Sequence, residues 1–358
     1  MRSSLVLSCC SALALILAGC SGSQAAGGFT PQPPAEKNTL HAEATREAQP
    51  DTAFGIAEFT TNTGETSAIA SDGAGHEFVG AEEPQASLLR FDEQTHAYQQ
   101  FNLPQPAGGP YALALQGTKA MWFTSGNVVG SMQLVTHTFQ EFTVPTPSAA
   151  IEGIALGTHQ SMWFTEAQGG KVGRIRTDTG AISEYPLPTP NHPFGIALGQ
   201  DGAIWFANYQ SIDRITADGQ LSDYPIGQNY PTGVTTGPDG AIWFTGQSDQ
   251  NGGLIGRIDL NTHVRKIAKF GAGTSADVGI VTRGSQLWMT APNANRIDRY
   301  DPSSHVVTRK PLPKGFSRPF GIALGADDQL WFTNDGPRGS AIGKLCPDQS
   351  SQTCKTSP

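Results

Sequence analysis

Two glutamates, Glu152 and Glu166, stand at matching ends of neighbouring segments in one copy of a repeated sequence. Glu152 comes just before a Gly-Ile pair, and Glu166 directly follows a Trp-Phe-Thr triplet. Carboxylate oxygens are the ligands that Mg²⁺ and Ca²⁺ prefer, so the two side chains could bind such a cation together. The alternative is an ordinary solvated rim. The first interpretation makes Glu152 and Glu166 candidate metal ligands.

The corresponding positions of the other copies carry further side chains that can bind a ligand. They are Glu65, Tyr111, His192, Asn208, Tyr230, Arg318, Phe320 and Asn334. The imidazole of His192 can exchange a proton near neutral pH, and Arg318 can bind an anion. Both stand beside a proline, where ordinary surface residues are also common. Phe194 and Phe320 are expected to pack in a central channel.

These positions correspond because the chain repeats a unit of about forty residues. Its six tryptophans each open Trp-Phe-Thr or a close variant of that triplet. They stand at positions 122, 163, 205, 243, 288 and 331, so the spacings are 41, 42, 38, 45 and 43 residues. A fixed period of this length indicates a stacked-repeat fold, and function must lie where the copies differ.

The clearest copy, residues 192–226, has four short segments rich in β-branched and aromatic residues. Asp-Gly turns at Asp201-Gly202 and Asp218-Gly219 separate two of the pairs. This pattern predicts an antiparallel meander of four strands, and no segment has the length or period of a helix. Such units, with a tryptophan in the second strand, are typical of β-propeller blades.

Seven copies are expected, which predicts an all-β, seven-bladed propeller over residues 54–346. A degenerate copy precedes the six with tryptophan, and Glu77 takes the tryptophan position there. The last copy, from Pro319 to Leu345, lacks a fourth strand. The segment Ile56–Thr60 has the sequence of such a strand. We therefore expect it to complete the last blade and close the ring, which removes exposed sheet edges.

The N-terminus has the pattern of a bacterial lipoprotein signal. The apolar segment Leu5–Leu17 is too short to span a membrane as a stable helix. The sequence Leu-Ala-Gly-Cys that ends at Cys20 resembles a lipobox, whose cysteine carries lipid; an ordinary signal peptide with a chance cysteine is the alternative. Residues 1–19 are predicted to be the signal peptide, and residues 20–53 the lipidated cysteine and a disordered tether. The expected location is the cell envelope, on its periplasmic or extracellular side, with the outer membrane as one candidate.

Cys346 and Cys354 stand eight residues apart where the propeller meets its predicted tail, residues 347–358. Outside the cytosol, a close pair of cysteines is expected to form a disulfide. A metal site is the weaker interpretation because no histidine lies beside them.

The net charge limits the kinds of partner that are expected. It is −8, with no run of Lys or Arg, so nucleic acid is not expected as a partner. The expected partners are the membrane, through lipid on Cys20, and a small molecule, peptide or envelope component. A monomer is expected.

The repeat resembles the virginiamycin B lyase family, also called streptogramin B lyases. The resemblance covers roughly residues 54–345 and rests on four recurring motifs: Gly-Ile-Ala-Leu-Gly, Ile-Trp-Phe-Thr, Ile-Gly-Arg-Ile and Glu-Tyr-Pro-Leu-Pro-Thr-Pro. It implies a seven-bladed propeller. Propellers of other functions share such repeats, and a fold does not carry an activity.

The family linearises a cyclic depsipeptide antibiotic by elimination across an ester-type C–O bond. The resemblance implies a histidine base before a Gly-Ile pair, two glutamates that hold Mg²⁺, and a second histidine one blade earlier. In the last blade of this chain the base position is Phe320, and the metal positions are Arg318 and Asn334. The second histidine position is Val278. The sequence therefore predicts that the family's catalytic set is not retained.

No other blade carries the complete set. The base positions around the ring are Ser67, Tyr111, Glu152, Phe194, Thr232, Val278 and Phe320, and none is histidine. Tyr111 matches a tyrosine in the first complete blade of the family.

Three functions stay open. The substitutions favour a ligand-binding or scaffold propeller. The alternatives are a C–O lyase with a rearranged site and a metal-dependent lactone hydrolase, for which Glu166, Asn208 and Asn334 would be candidate ligands. Mg²⁺ and Ca²⁺ are the cations to test.

Overall fold

The computed structural model describes residues 40–43, 46–47, 55–61, 65–82, 85–104, 108–189, 191–249, 252–270, 278–313, 316, 318–336, 339–347 and 354. The predicted signal peptide and Cys20 lie outside these residues. Seven sheets follow one another along the chain, and each contains an antiparallel meander of four strands. The prediction of an all-β, seven-bladed propeller is confirmed.

The strands are assigned to blades in chain order. Three precede the first blade: β1 (Leu40–Glu43), β2 (Arg46–Glu47) and β3 (Gly55–Thr60). Blade 1 contains β4 (Thr66–Ser71), β5 (His76–Ala81), β6 (Ser87–Asp92) and β7 (Tyr98–Asn102). Blade 2 contains β8 (Leu113–Gln116), β9 (Ala120–Ser125), β10 (Val128–Gln133) and β11 (Phe139–Thr143). Blade 3 contains β12 (Ile151–Leu156), β13 (Ser161–Glu166), β14 (Lys171–Arg176) and β15 (Ile182–Pro186).

The remaining blades continue the series. Blade 4 contains β16 (Pro193–Leu198), β17 (Ile204–Asn208), β18 (Ser211–Ile215) and β19 (Leu221–Pro225). Blade 5 contains β20 (Tyr230–Thr236), β21 (Ile242–Gln247), β22 (Gly253–Ile258) and β23 (Arg265–Lys269). Blade 6 contains β24 (Ile280–Arg283), β25 (Gln286–Ala291), β26 (Arg296–Asp301) and β27 (Val306–Pro311), with a 3₁₀ turn, η1 (Pro292–Ala294), before β26. Blade 7 contains β28 (Pro319–Leu324), β29 (Leu330–Gly336) and β30 (Gly339–Cys346).

The N-terminal strand β3 supplies the fourth strand of blade 7. It pairs antiparallel with β30, with Ile56 opposite Leu345 and Phe59 opposite Ile342. Ile56 packs in the same cluster as Leu345, so the pairing also buries apolar surface. The predicted closure of the ring by the N-terminal strand is confirmed.

The segment before β3 differs from the disordered tether that its sequence predicts. Strand β1 pairs parallel with β23, with Leu40 opposite Arg265, and β2 pairs parallel with β27, with Arg46 opposite Val306. The two strands therefore lie on the outer edges of blades 5 and 6. Backbone groups make this pairing, so a polar segment without an apolar pattern can still extend a sheet.

Each tryptophan packs between its own blade and the next. Trp205 of blade 4, for example, lies in one cluster with Ile242 and Phe244 of blade 5. All six tryptophans are at most 3% exposed. They are core residues. The sequence repeats about every forty residues because each blade makes this contact with the next one.

Blade 1 corrects the predicted alignment by one residue. Trp205 lies opposite Ala197 and Arg214, and Phe78 lies opposite Ala70 and Arg90 in the same way. Phe78 therefore takes the tryptophan position, and Glu77 does not. A shift of one residue moves a side chain to the opposite face of a strand, and without a tryptophan the sequence had nothing to fix that choice.

The threonine and glycine of the repeat join neighbouring blades. The hydroxyl of Thr165 accepts a hydrogen bond from the Gly153 backbone N–H (2.9 Å) and donates one to the carbonyl oxygen of Phe194 in blade 4 (2.7 Å). A Cβ atom on Gly153 would lie 2.6 Å from that same oxygen. The inner strands thus approach too closely for a side chain at this position.

Cys354 lies beside the closing strand. A disulfide joins Cys346 to Cys354, and both sulfur-bearing residues are buried against Ala57 of β3. The bridge therefore holds the chain end against the blade that the N-terminus completes.

Among the residues that the structure describes, there is no helix with the length and apolar character to cross a membrane.

Candidate functional site

The predicted site residues meet at one end of the blades. The start of each inner strand lies opposite the end of the second strand, as Ile151 lies opposite Glu166, Pro193 opposite Asn208 and Pro319 opposite Asn334. The inner strands contact one another around the ring in blade order. Their starts therefore form a single rim around the central channel, which we call the mouth.

The mouth divides the predicted residues into two groups. Tyr111, Glu152, His192 and Tyr230 are partly exposed, and Glu65 and Arg318 are exposed. Glu166, Asn208 and Asn334 are only 0%, 4% and 0% exposed. A ligand resting on the mouth could contact the first group directly. The second group lies beneath the surface and can act only through the residues above it.

Tyr111 reaches across the mouth. Its ring lies edge-on to Phe320 of blade 7, with centroids 6.1 Å apart. Aromatic pairs favour this geometry, and it leaves ring faces available to a ligand. The Tyr111 hydroxyl also interacts with the Glu152 carboxyl of blade 3. Tyr111 thus links the two sides of the mouth.

Glu152 combines burial with an incomplete set of hydrogen bonds. Burial raises the pKa of its carboxyl to about 6, and the interaction with Tyr111 only partly opposes this shift. Its Oε2 atom is buried and has no hydrogen-bond partner among the described residues. A ligand that donates a hydrogen bond could satisfy this oxygen.

A buried network beneath the mouth holds His192. Its backbone N–H donates to Oδ1 of Asn208 (2.8 Å), and Nδ2 of Asn208 donates to Oδ2 of Asp213 (2.8 Å). The hydroxyl of Ser211 donates to the other carboxyl oxygen of Asp213 (2.5 Å). Asn208 therefore positions His192 and is not itself on the surface.

Sequence reasoning missed Asp213, although the repeat contained a signal. The corresponding position is glycine in blades 2, 3, 5 and 7: Gly130, Gly173, Gly256 and Gly343. Each of these glycines faces the phenylalanine ring of its blade's triplet, with no room for a side chain. An aspartate at such a place is a departure from the repeat that calls for polar partners. Burial raises the pKa of Asp213 to about 7, against the hydrogen bonds from Ser211 and Asn208.

His192 presents a largely neutral imidazole at the mouth. Burial lowers its pKa, since removing the ring from water disfavours the charged form. The ring packs on Phe194, with centroids 4.5 Å apart. Its Nδ1 atom is buried and has no hydrogen-bond partner among the described residues. The residue as a whole is partly exposed, so a ligand at the mouth could contact other atoms of the ring.

A second aromatic pair lies at the edge of blades 4 and 5. The rings of Tyr209 and Tyr230 meet edge-on, with centroids 5.5 Å apart. Tyr209 has a positive φ of 30°, a conformation that non-glycine residues rarely adopt. The sequence pointed to Tyr230 but not to Tyr209, because Tyr209 falls in a turn outside the repeat motifs.

Glu152 and Glu166, the predicted metal pair, have different polar neighbours. Burial raises the pKa of Glu166 to about 7, Glu184 raises it further, and Thr146 and Lys171 oppose the shift. Glu184 lies on the outermost strand of blade 3, whereas Tyr111, the neighbour of Glu152, precedes the inner strand of blade 2. Ile151, which precedes Glu152, lies opposite Glu166 in the sheet, so the two glutamates stand at the same end of blade 3. A shared cation at Glu152 and Glu166 stays a prediction.

The residues at the Mg²⁺ positions that the resemblance implies do not fit a cation. They hold the exposed guanidinium of Arg318 and the buried amide of Asn334. A cation at Arg318 would be repelled, and hard carboxylates are missing from both places. Among the described residues, no group of three or more His, Cys, Asp or Glu side chains could hold a metal.

Comparison with known proteins shows where this propeller belongs. The sequence pattern of the virginiamycin B lyase family matches residues 94–355. Virginiamycin B lyase from Nocardia farcinica (strain IFM 10152) is 26% identical over 222 residues, which are 62% of this chain and 76% of that protein.

Two solved structures share the fold over most of the chain. A streptogramin B lyase is 28% identical, with a TM-score of 0.74, and the match covers 83% of this chain and 99% of that one. A catalytically inactive histidine-to-alanine variant of virginiamycin B lyase from Staphylococcus aureus, with quinupristin, is 29% identical, with a TM-score of 0.74. That match covers 82% of this chain and 99% of the other. With the family pattern covering most of its length, this chain belongs to the virginiamycin B lyase family.

Proposed function

We propose that this chain is a non-catalytic, ligand-binding propeller of the cell envelope, anchored by lipid on Cys20. The observation that carries the proposal is the composition of the mouth. Phe320, Arg318 and Asn334 stand where the family resemblance implies a base and two metal ligands. The mouth keeps groups that can bind a ligand but lacks the set that would break a C–O bond.

The mouth favours a ligand with aromatic or apolar groups and at least one hydrogen-bond donor. Tyr111, Phe194 and Phe320 offer aromatic surface around the channel. Glu152 and His192 are partly exposed and offer polar groups to a ligand at the mouth. Ligand sites of this kind are mostly apolar, with a few polar groups that set orientation. A peptide or a small molecule of mixed character fits this description.

Quinupristin is a suitable probe, because a relative of this chain has been solved with it. We expect calorimetric titration to detect binding, and Tyr111→Ala to weaken the affinity by about tenfold, since an aromatic contact contributes about 0.5–1.5 kcal/mol beyond its buried area. Val135→Ala, which alters an exposed apolar residue in the outer part of blade 2, is the matched control and should leave the affinity unchanged. Absence of binding, or equal affinity of the Tyr111 variant, would contradict the proposed site.

A C–O lyase with a rearranged site is the second candidate. The observation that favours it is His192, whose lowered pKa suits a general base and whose position is set by Asn208 and Asp213. This candidate predicts that the protein converts quinupristin to a ring-opened product. The binding proposal predicts no such product. A metal-dependent lactone hydrolase has less support, because all three of its candidate ligands, Glu166, Asn208 and Asn334, are buried.

The anchor is tested by Cys20→Ser. We expect this change to abolish labelling by a radioactive fatty acid and to move the protein from the membrane fraction to the soluble fraction. One acyl chain binds a membrane only weakly, so retention depends on the several chains that a bacterial lipoprotein carries. Retention of a Cys20→Ser protein whose signal peptide has been removed would show that something else holds it.

A further inference from the structure

Blade 1 has an acid at a position that is apolar in the other six blades. The residue before the tryptophan position is Met121, Met162, Ile204, Ile242, Leu287 or Leu330 in blades 2 to 7. Each is at most 2% exposed and packs against the preceding blade, as Met162 packs on Trp122 and Ile242 on Trp205. In blade 1 this residue is Glu77, which is 0% exposed. At this position the joint between blades 7 and 1, where the ring closes, therefore has a polar residue, whereas the other joints have an apolar one.

Further charged groups lie on both sides of this joint. Glu93, which follows β6 in blade 1, interacts with Glu77 and is itself buried. From blade 7, Asp327 acts on both glutamates. Its partner Lys344 places Nζ 2.7 Å from Oδ2 of Asp327 and 5.2 Å from the centre of the Trp331 ring. Ser71 completes the surroundings of Glu77.

The charges of this cluster do not balance when every group is ionised. Three carboxylates and one ammonium would leave two uncompensated negative charges in a buried space, a state that low polarity makes costly. Lys344 pairs with Asp327 and also acts on the Glu93 carboxyl, so one cation faces three acids. Burial raises the pKa of Glu77 well above its ordinary value, and the Glu93 carboxyl raises it further. Burial also raises the pKa of Glu93.

We propose that a proton held on Glu77 stabilises the joint between blades 7 and 1, and that loss of this proton at higher pH loosens the closure of the ring. The proton lets Glu77 donate a hydrogen bond to Glu93, and it removes one of the two uncompensated charges. Blade 1 would thus open from blade 7 before any other pair of blades separates.

The direction of the pH dependence follows from the raised pKa. A carboxyl whose pKa is higher in the folded than in the unfolded protein binds its proton more tightly when folded. Its stabilising contribution is complete below the unfolded pKa, about 4.3 for glutamate, and is lost as the pH rises through the folded pKa. Stability should therefore fall with rising pH, opposite to the behaviour of a carboxylate in an exposed ion pair.

Urea unfolding of the mature chain in detergent, from pH 5 to pH 9, tests this proposal. In the unaltered protein the unfolding equilibrium constant should rise by up to about tenfold per pH unit between the unfolded pKa of glutamate, about 4.3, and the folded pKa of Glu77, and should level off above the folded pKa. Glu77→Met restores the apolar residue of the other blades and should remove this part of the slope. Glu77→Gln keeps the shape, cannot ionise and should do the same, so the test stands even if the Met variant folds poorly. Glu65→Gln alters an exposed glutamate of the mouth and should leave the slope unchanged.

Hydrogen exchange at pH 8 locates the effect. Compared with Glu77→Gln at the same pH, the unaltered protein should exchange faster in β4–β6 and β28–β30, and at equal rates in blades 3 and 4. A pH slope that persists in Glu77→Gln, or faster exchange spread evenly over all blades, would overturn the proposal.

Discussion

Incubated with quinupristin and Mg²⁺, this protein is expected to leave the depsipeptide ring closed. The family reaction removes a proton from carbon, which requires a positioned base, and Phe320 cannot act as one. A missing general base typically lowers a rate by about 10²–10⁴-fold. Arg318 and Asn334 also remove the expected Mg²⁺ site, so the carbonyl would lose its Lewis acid at the same time.

Mass spectrometry of the antibiotic decides this prediction, with virginiamycin B lyase from Staphylococcus aureus as the positive control. The histidine-to-alanine variant of that enzyme is catalytically inactive, which sets the level expected for a chain without the base. Turnover by this protein would contradict the prediction. Turnover that disappears in His192→Ala would place the base in blade 4, and turnover that disappears in Glu166→Gln would place the site in blade 3.

Removing the closing strand should cost far more stability than removing the segment before it. A chain without residues 1–62 lacks β3, whose six residues pair with β30 and bury Ile56 and Ala57. We expect a loss of at least about 3 kcal/mol relative to a chain without residues 1–53, since burying one large apolar side chain contributes about 1.5–3 kcal/mol. The unpaired edge of β30 should also favour aggregation.

The chain without residues 1–53 is the matched control, because it loses only β1 and β2 from the outer edges of blades 5 and 6. It should remain folded and monomeric. Urea midpoints and sedimentation of the two chains test both statements. Equal midpoints would show that β3 is not what holds blades 7 and 1 together.

The fold could be predicted because large core residues recur at matching positions of the repeat. The tryptophan and phenylalanine of each triplet, such as Trp205 and Phe206, pack at a fixed place in the blade. The spacing between successive triplets therefore gives the number and size of the blades. The closing strand could be predicted for a related reason: blade 7 lacks an edge strand, and Ile56–Thr60 has the right pattern to fill it. The prediction failed at Glu77, where no tryptophan fixed the register, and at β1 and β2, which pair with the outer edges of blades 5 and 6.

The site was only partly predictable. Position in the repeat correctly placed Tyr111, Glu152 and His192 at one end of the ring, because every blade starts its inner strand there. It gave no depth. Glu166 and Asn208 stand at the same end of their blades, after the second-strand triplet, but lie beneath the surface. Depth depends on the loops and neighbouring blades that cover a side chain, and these are set by residues far away in the sequence.

The sequence by itself therefore determined the family, the number of blades, the closing strand and which residues stand at the positions that the resemblance implies for a base and metal ligands. Each of these depends on residue identity at a repeated position. Only the tertiary structure decided which polar groups act together: Asp213 with Asn208 beneath His192, Tyr111 with Glu152 and Phe320, and Glu77 with Asp327 across the closing joint. The reason is that two of these three sets join residues from different blades, and even the third, within blade 4, depends on which face of a strand is buried. Distances between blades, burial and the pKa values that follow from it are properties of the closed ring.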